Sequence, residues 1–333
     1  MDLVKPKRVR SDGAVRLVAP SLSASIIERR AWDIGVRKLE SKGLRVQVAK
    51  HAMSSRGHSS GTAKERADDM MEAFRDPEVD LVMSVIGGFN SNQLLPLLDY
   101  KTIRESRKPF IGYSDVTALN EAILVRSGLI NFSGPAFVTF CQPELSPYTE
   151  RSFDQILLEG ASNVPVEASG TWAEDRWFLM DSLGPREWKK NPGWDVLREG
   201  HAKGRAVGGN LSTLMLLAGT VYWPDMNGVI LFLEDDEAST PEIFDRDISH
   251  LKQMGVFEKV YGVVIGRSPT EAGFNENDSL TMIVDELLGD CDIPVVANAD
   301  FGHTDPMFTI PLGARCELST DRKKLTFVEK AVE

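Results

Sequence analysis

Cysteine is scarce in this chain. Cys141, Cys291 and Cys316 are three in 333 residues, widely spaced and without a Cys-x-x-Cys pair. That argues against a disulfide framework and a structural zinc site, and it fits a reducing compartment. Long apolar runs are missing too: none approaches the roughly 20 residues of a membrane span. The apolar run after Lys5, Lys7, Arg8 and Arg10 breaks at Pro20-Ser21. It is too short for a signal sequence and reads as a first strand, so a cytoplasmic location is expected. Positive charge is the minority, 38 Lys+Arg against 49 Asp+Glu for a net −11, which disfavours nucleic acid or an anionic membrane as the main partner. A small anionic ligand held by local donors remains compatible. Gly87-Gly88 and Gly208-Gly209 are not followed by Gly-Lys-Ser/Thr, so neither is a phosphate loop. No His-Glu-x-x-His or other clustered ligand spacing occurs, and no metal is expected. Internal repeats and low-complexity tracts are absent.

What is present is ordinary for a globular protein, with 42% hydrophobic and 26% charged residues, enough for a core of normal size. The length suggests two domains sharing an interface. In the first half strands alternate with helices. Strands are expected at Val15 to Ala19, Leu44 to Ala49, Val79 to Ile86 and Phe110 to Tyr113. Helices are expected at Ser25 to Lys42, Thr62 to Arg75, Asn92 to Asp99 and Val116 to Arg126. This alternation implies a parallel sheet, in which ligands sit at the carboxyl ends of the strands. From about Tyr148 to Gly200 the pattern loosens. Beyond it come short strands at Val229 to Leu233, Tyr261 to Ile265, Pro294 to Ala297, Ala314 to Leu318 and Leu325 to Val328. Helices around Leu211 to Leu217 and Pro241 to Met254 lie among them. The expected organisation is an α/β domain over 1–150, a linker over 151–175 and a smaller β-rich domain over 176–333.

Three segments place a polar group directly after an apolar strand. Phe110-Ile111-Gly112-Tyr113 closes on Ser114-Asp115 and opens into helix-like sequence. A serine on a sharp strand-to-helix turn exposes its hydroxyl beside free backbone amides, which suits acyl transfer. The same residues also suit a helix N-cap. Val229 to Leu233 runs into Glu234-Asp235-Asp236-Glu237, which reads equally as a solvated acidic run. Ile293 to Ala297 leads to Asp300-Phe301-Gly302-His303, where His303 can also be a plain turn histidine. A serine needs a base, and the base needs an acceptor to fix its tautomer. Among five histidines, His303 is the best placed. Gly87-Gly88 is the natural oxyanion-hole candidate, because glycine lets a backbone approach a ligand closely; a strand-ending turn explains it as simply. Gly208-Gly209-Asn210 is either a substrate-facing turn or a helix cap.

Gly87-Gly88-Phe89, Gly112-Tyr113-Ser114-Asp115, Gly208-Gly209-Asn210-Leu211, Phe232-Leu233-Glu234-Asp235 and Phe301-Gly302-His303, in that order, resemble the LD-carboxypeptidase family of serine peptidases. The resemblance runs from Val18-Ala19-Pro20-Ser21 to Ile310-Pro311-Leu312-Gly313. It implies a Ser114–His303–Glu234 triad, an oxyanion hole from the Gly87 and Gly88 region with the Asp115 amide, and no metal or organic cofactor. It also implies an α/β N-terminal domain, a smaller β-rich C-terminal domain and a homodimer. Where murein-directed members usually carry Arg-Gly-Gly-Tyr-Gly, this chain has Ile86-Gly87-Gly88-Phe89-Asn90. That loop, with Gly302 to Met307, resembles the microcin C self-immunity branch. The implied substrate is an amide between a C-terminal acidic residue and a modified nucleotide. Trimming of murein tetrapeptides, and a non-catalytic role sequestering nucleotide-peptides, are the alternatives.

The tryptophans bear on that choice. Trp172 and Trp177 lie in strand-like sequence and are expected in the core. Trp188 and Trp194 flank Lys189-Lys190-Asn191-Pro192-Gly193, a loop-like segment from which an indole could stack on a nucleobase. With Asn210, these two are the expected substrate-binding residues.

Overall fold

The computed structural model describes residues 2–175, 177 and 183–333. Arg176, the expected start of the second domain, lies outside them. The strands are β1 (Ala14–Val18), β2 (Arg45–Val48), β3 (Val79–Ser84), β4 (Phe110–Gly112), β5 (Asn131–Ser133), β6 (Val164–Val166), β7 (Thr171–Trp172) and β8 (Lys189–Lys190). There follow β9 (Asp195–Arg198), β10 (His201–Asn210), β11 (Val229–Glu234), β12 (Gly262–Gly266), β13 (Val295–Ala299), β14 (Ile310–Leu312), β15 (Arg315–Ser319) and β16 (Lys324–Phe327).

The first sheet has the order β14-β5-β4-β3-β1-β2. Its strands run parallel except β14, which crosses from the C-terminal half to pair antiparallel with β5. The second sheet has the order β6-β16-β15-β10-β11-β12-β13-β9. Its centre, β10 to β13, is parallel, and the flanking pairs are antiparallel. The molecule is mixed α/β, with an N-terminal parallel-sheet part and a β-rich C-terminal part. The parallel strands β11 and β12 are buried along their whole length, as strands covered on both faces must be.

Helices α1 (Arg29–Ser41), α2 (Ala63–Arg75), α3 (Tyr100–Ser106) and α4 (Thr117–Ser127) belong to the first half. The first of these starts later than Ser25 because Glu28 caps it, its carboxylate accepting from the Arg30 and Ala31 amides. The second opens on a reciprocal cap between Thr62 and Glu65. One core cluster, including Phe74, Phe110 and Leu119, packs helices on the first sheet. A second cluster is continuous across both sheets, from Phe132 and Phe137 to Phe232, Phe301 and Phe327. Phe232 sits between Phe301 and Phe327, with ring centroids 5.8 and 6.4 Å away. Among the described residues, no helix is long and apolar enough to cross a membrane.

Candidate active site

Four strand ends converge. β4 leads to Ser114, β3 to Gly87-Gly88, β11 to Glu234, and β13 to the loop that carries His303. Ser114 has φ 65°, a left-handed conformation that a residue with a side chain adopts only at a cost. The turn is followed at once by α4, yet the Ser114 hydroxyl caps neither that helix nor the short 3₁₀ turn before it. Instead Ser114 Oγ lies 3.0 Å from His303 Nε2. His303 Nδ1 in turn lies 2.7 Å from Glu234 Oε2. With a carboxylate at Nδ1, that nitrogen keeps the proton in the neutral imidazole, which then leaves Nε2 to accept from the serine hydroxyl.

Glu234 is 3% exposed and ends a fully buried strand. Gly302, at φ 103°, lets the His303 loop close over it; a Cβ there would fall 2.5 Å from Glu234 Oε2. Tyr113 packs edge-on to the imidazole at 5.3 Å. Burial disfavours the imidazolium, but the charge of Glu234 and its hydrogen bond outweigh that, with Asp236 and Asp235 adding. The His303 pKa is pushed up to about 9.

Gly87 faces the serine. A Cβ there would sit 2.9 Å from both Cβ and Oγ of Ser114 and 3.4 Å from the Asp115 amide nitrogen. Gly88 takes φ 147°, and a Cβ on it would meet Ser21 Oγ at 2.2 Å. Buried side chains fix this loop. Ser21 Oγ accepts from the Phe89 and Asn90 amides at 3.0 and 3.2 Å. Asp115 Oδ2 accepts from the Asn90 and Ser91 amides at 3.0 and 2.9 Å. Arg66 Nη1 donates to Asn90 Oδ1 at 3.1 Å. The Asp115 side chain thus ties the loop to the serine turn, a role invisible in a reading that used only its amide. Ser21 was given no role by the sequence; its signals were its place after the first strand and in the Val18-Ala19-Pro20-Ser21 segment. Gly87→Ala should therefore fold, since its backbone is not left-handed, yet crowd the space beside Ser114. We expect kcat to fall about a hundredfold, as for loss of an oxyanion donor, with Tm lowered by only a few degrees. Steady-state kinetics and a melting curve check it.

The other expected residues are placed differently. Asn210 is buried, caps the helix that follows by accepting from the Thr213 amide at 2.9 Å, and donates to Asp235 Oδ1 at 2.9 Å. Both ends of its amide are engaged within the protein, as in the cap reading. Gly209 ahead of it is a packing requirement, because a Cβ would strike Thr117 Oγ1 at 2.6 Å. Trp194 corrects the stacking expectation. It is 1% exposed, and its Nε1 donates to the buried Asp300 at 3.3 Å. Trp188 is half-buried, its Nε1 on Glu144 Oε2 at 3.2 Å and its ring under the Arg186 guanidinium at 5.4 Å. Trp177 is core, but Trp172 is half-buried between two cations, Lys189 at 4.8 Å and Arg267 at 4.9 Å from its ring.

The Trp172 and Trp188 segments clamp the His303 loop at both ends. Asp300 accepts from the Ser169 amide at 3.0 Å and from Asn191 Nδ2 at 2.8 Å. Asp305 exchanges backbone hydrogen bonds with Ala173 at 2.8 Å each and accepts from Arg186 Nη2 at 3.0 Å. On the Ser114 side, α4 is tied to β10 through Glu121, whose Oε1 accepts from the Gly208 amide at 2.7 Å. Burial pushes the Glu121 pKa up to about 8, against the pull of that amide.

A serine on a strained turn, an imidazole at hydrogen-bond distance and a buried carboxylate behind it have the geometry of a serine hydrolase. The chain belongs to the LD-carboxypeptidase family. Residues 15–134 match the LD-carboxypeptidase N-terminal domain, and residues 203–318 match the C-terminal domain. Putative carboxypeptidase YocD of Bacillus subtilis is 39% identical, over 93% of this chain and 94% of that protein. Microcin C7 self-immunity protein MccF of Escherichia coli is 35% identical, over 93% of this chain and 91% of its own. The solved structure of MccF in complex with aspartyl sulfamoyl adenosine superposes with a TM-score of 0.90 at 32% identity, covering 99% of this chain and 100% of that one. The protein is a carboxypeptidase of the serine type, a hydrolase.

Proposed function

We propose that this carboxypeptidase hydrolyses the amide joining a C-terminal acidic residue to a modified nucleotide, through a Ser114–His303–Glu234 triad. The observation that carries the reading is the continuous line of contacts, 3.0 Å from Ser114 to His303 and 2.7 Å from His303 to Glu234. Ser114 Oγ attacks the scissile carbonyl as His303 Nε2 takes its proton. Glu234 holds the tautomer and stabilises the imidazolium. The oxyanion that forms is received by amides of the Gly87-Gly88 loop and Asp115. The imidazolium then protonates the leaving amine, and water, deprotonated by the same nitrogen, releases the acyl group. The substrate class rests on the likeness to MccF, whose structure holds aspartyl sulfamoyl adenosine. The three cysteines, none in a disulfide, support a cytoplasmic setting. We also take the active form to be a homodimer, which light scattering would test.

Mass spectrometry on an aspartyl sulfamoyl adenosine and a murein tetrapeptide, each mixed with the protein, tests the substrate. Cleavage of the first supports the proposal. Turnover of the tetrapeptide alone moves the substrate to the cell wall, and tight binding without product replaces catalysis with sequestration. Trp188→Ala refines the test. Loss of an indole that stacks on a base should raise KM for the nucleotide substrate about 5- to 150-fold, from roughly 1–3 kcal/mol of stacking, and spare a plain acidic peptide. Equal loss on both, with a lower Tm, would mean the ring only packs against Arg186.

A further inference from the structure

At the opposite edge of the first sheet from Ser114, where β3 begins and Lys108 precedes β4, lies a cavity of about 400 Å³. Its walls include Lys7, Arg8, Arg10, Arg75, Arg107 and Lys108, with Asp80 among them. Six cations against one carboxylate is a sharp local inversion in a chain of net charge −11.

Three of the six are spent. Arg10 forms a forked pair with Asp80 at 2.6 and 3.0 Å. Arg107 donates to the Lys5 carbonyl and to Glu333. Lys108 is buried, donating to the Ala73 carbonyl at 3.0 Å and to that of Asp76. The other three, Lys7, Arg8 and Arg75, are exposed, and among the described residues their side chains make no hydrogen bond or ion pair. Burial lowers the Lys108 pKa, Arg16 and Lys7 adding to the effect against Asp76 and Asp80. That shift is a burial effect, Asp76 and Asp80 outweighing Arg16 and Lys7; the charges left for a bound anion are those of Lys7, Arg8 and Arg75 at the rim, which are exposed and, among the described residues, form no ion pair.

We propose that this cavity is a second ligand site, which takes a small, multiply charged phosphorylated molecule. Its volume lies in the usual range for small-molecule sites, roughly 300–1,000 Å³. The two guanidinium groups of Arg8 and Arg75 are planar donors suited to phosphate oxygens, and Lys7 supplies a point charge. A long polyanion or an anionic bilayer would meet the repulsion of the whole chain, whereas a small ligand inside the cavity meets mainly its walls. Nothing in this site touches the triad, so its occupancy is separable from the substrate reading.

Calorimetry at low salt, with inorganic pyrophosphate as the probe, tests the proposal. The wild type should bind one equivalent saturably. Lys7→Glu/Arg75→Glu should weaken binding at least tenfold, with the unliganded Tm lowered by a few degrees at most because Arg75 closes the last turn of α2. Arg8→Gln should weaken it less, and the hydrolytic rate should be unchanged in both. Raising salt from about 50 to 200 mM should also weaken wild-type binding severalfold, as expected for partly exposed ionic contacts. A nucleoside triphosphate binding tighter than pyrophosphate, and still sensitive to the double variant, would assign the ligand as a nucleotide within the proposed class. No saturable heat in the wild type, or equal binding by the double variant, would overturn the proposal. So would tighter binding of heparin or duplex DNA than of pyrophosphate.

Discussion

Ser114→Ala is expected to lower kcat/KM by about 10³- to 10⁶-fold, the range seen when a nucleophile is removed and only binding and oxyanion contacts remain. The fold should tolerate it. The lost group is one hydroxyl whose partner is His303 Nε2, a contact worth about 1 kcal/mol. The turn keeps its φ of 65° with alanine, so its strain is unchanged and Tm should move by a few degrees at most. Ser114→Gly should be equally inactive but somewhat more stable, because glycine adopts that conformation freely. A variant that kept a tenth of the activity would place the nucleophile elsewhere. Burst kinetics with a slowly deacylating substrate would show the acyl-enzyme in the wild type and none in Ser114→Ala.

The second large effect concerns pH. His303 must be neutral to take the serine proton, and its pKa is pushed up to about 9. The free enzyme's kcat/KM should therefore climb about tenfold per unit until near pH 9 and then level. At pH 7 only ~1% of molecules would hold the neutral base. Glu234→Gln removes the charge that raises the pKa. The limb should then move toward about 6.5 or below, while the plateau drops by roughly 10²- to 10⁴-fold as the tautomer and imidazolium lose support. His303→Ala should be worse still. Stability reports the same group with the opposite sign. A folded pKa above the unfolded value of about 6.5 stabilises the protonated native state; that contribution is complete below pH 6.5 and disappears as pH rises through about 9. Tm of the wild type should fall across that window more than Tm of Glu234→Gln. A kcat/KM profile flat down to pH 5 would remove His303 as the base.

The site was legible where chemistry follows directly on a buried strand. Ser114, Glu234 and His303 each stand at or just beyond the end of an apolar run, and parallel topology brings such ends to one edge. What local pattern could not show were partners far along the chain. Lys189-Lys190-Asn191-Pro192-Gly193 has every mark of a loop, yet Trp194 beside it is buried by Asp300, 106 positions away. Asn210 offered the same two readings from its neighbours; Asp235, which occupies its donor group, decided between them. The late start of α1 had a local cause, since a glutamate rather than the favoured Ser or Asp supplies the cap. The crossing of Ile310–Leu312 into the first sheet had no signal, because three apolar residues fit either sheet equally well.

That crossing strand has a consequence for biosynthesis. The loop bearing His303 is strung between β13 in one sheet and β14 in the other, and β14 closes the edge of the sheet that leads to Ser114. A nascent chain that has emerged as far as Ser114 lacks both His303 and the edge of its own sheet. Glu333 likewise joins distant parts of the chain, exchanging backbone hydrogen bonds with Pro6 and Arg8. Hydrolytic competence should thus require synthesis at least through Ile310–Leu312. Fragments cut short before Ile310 should show no hydrolytic activity, which assay of purified truncations would check.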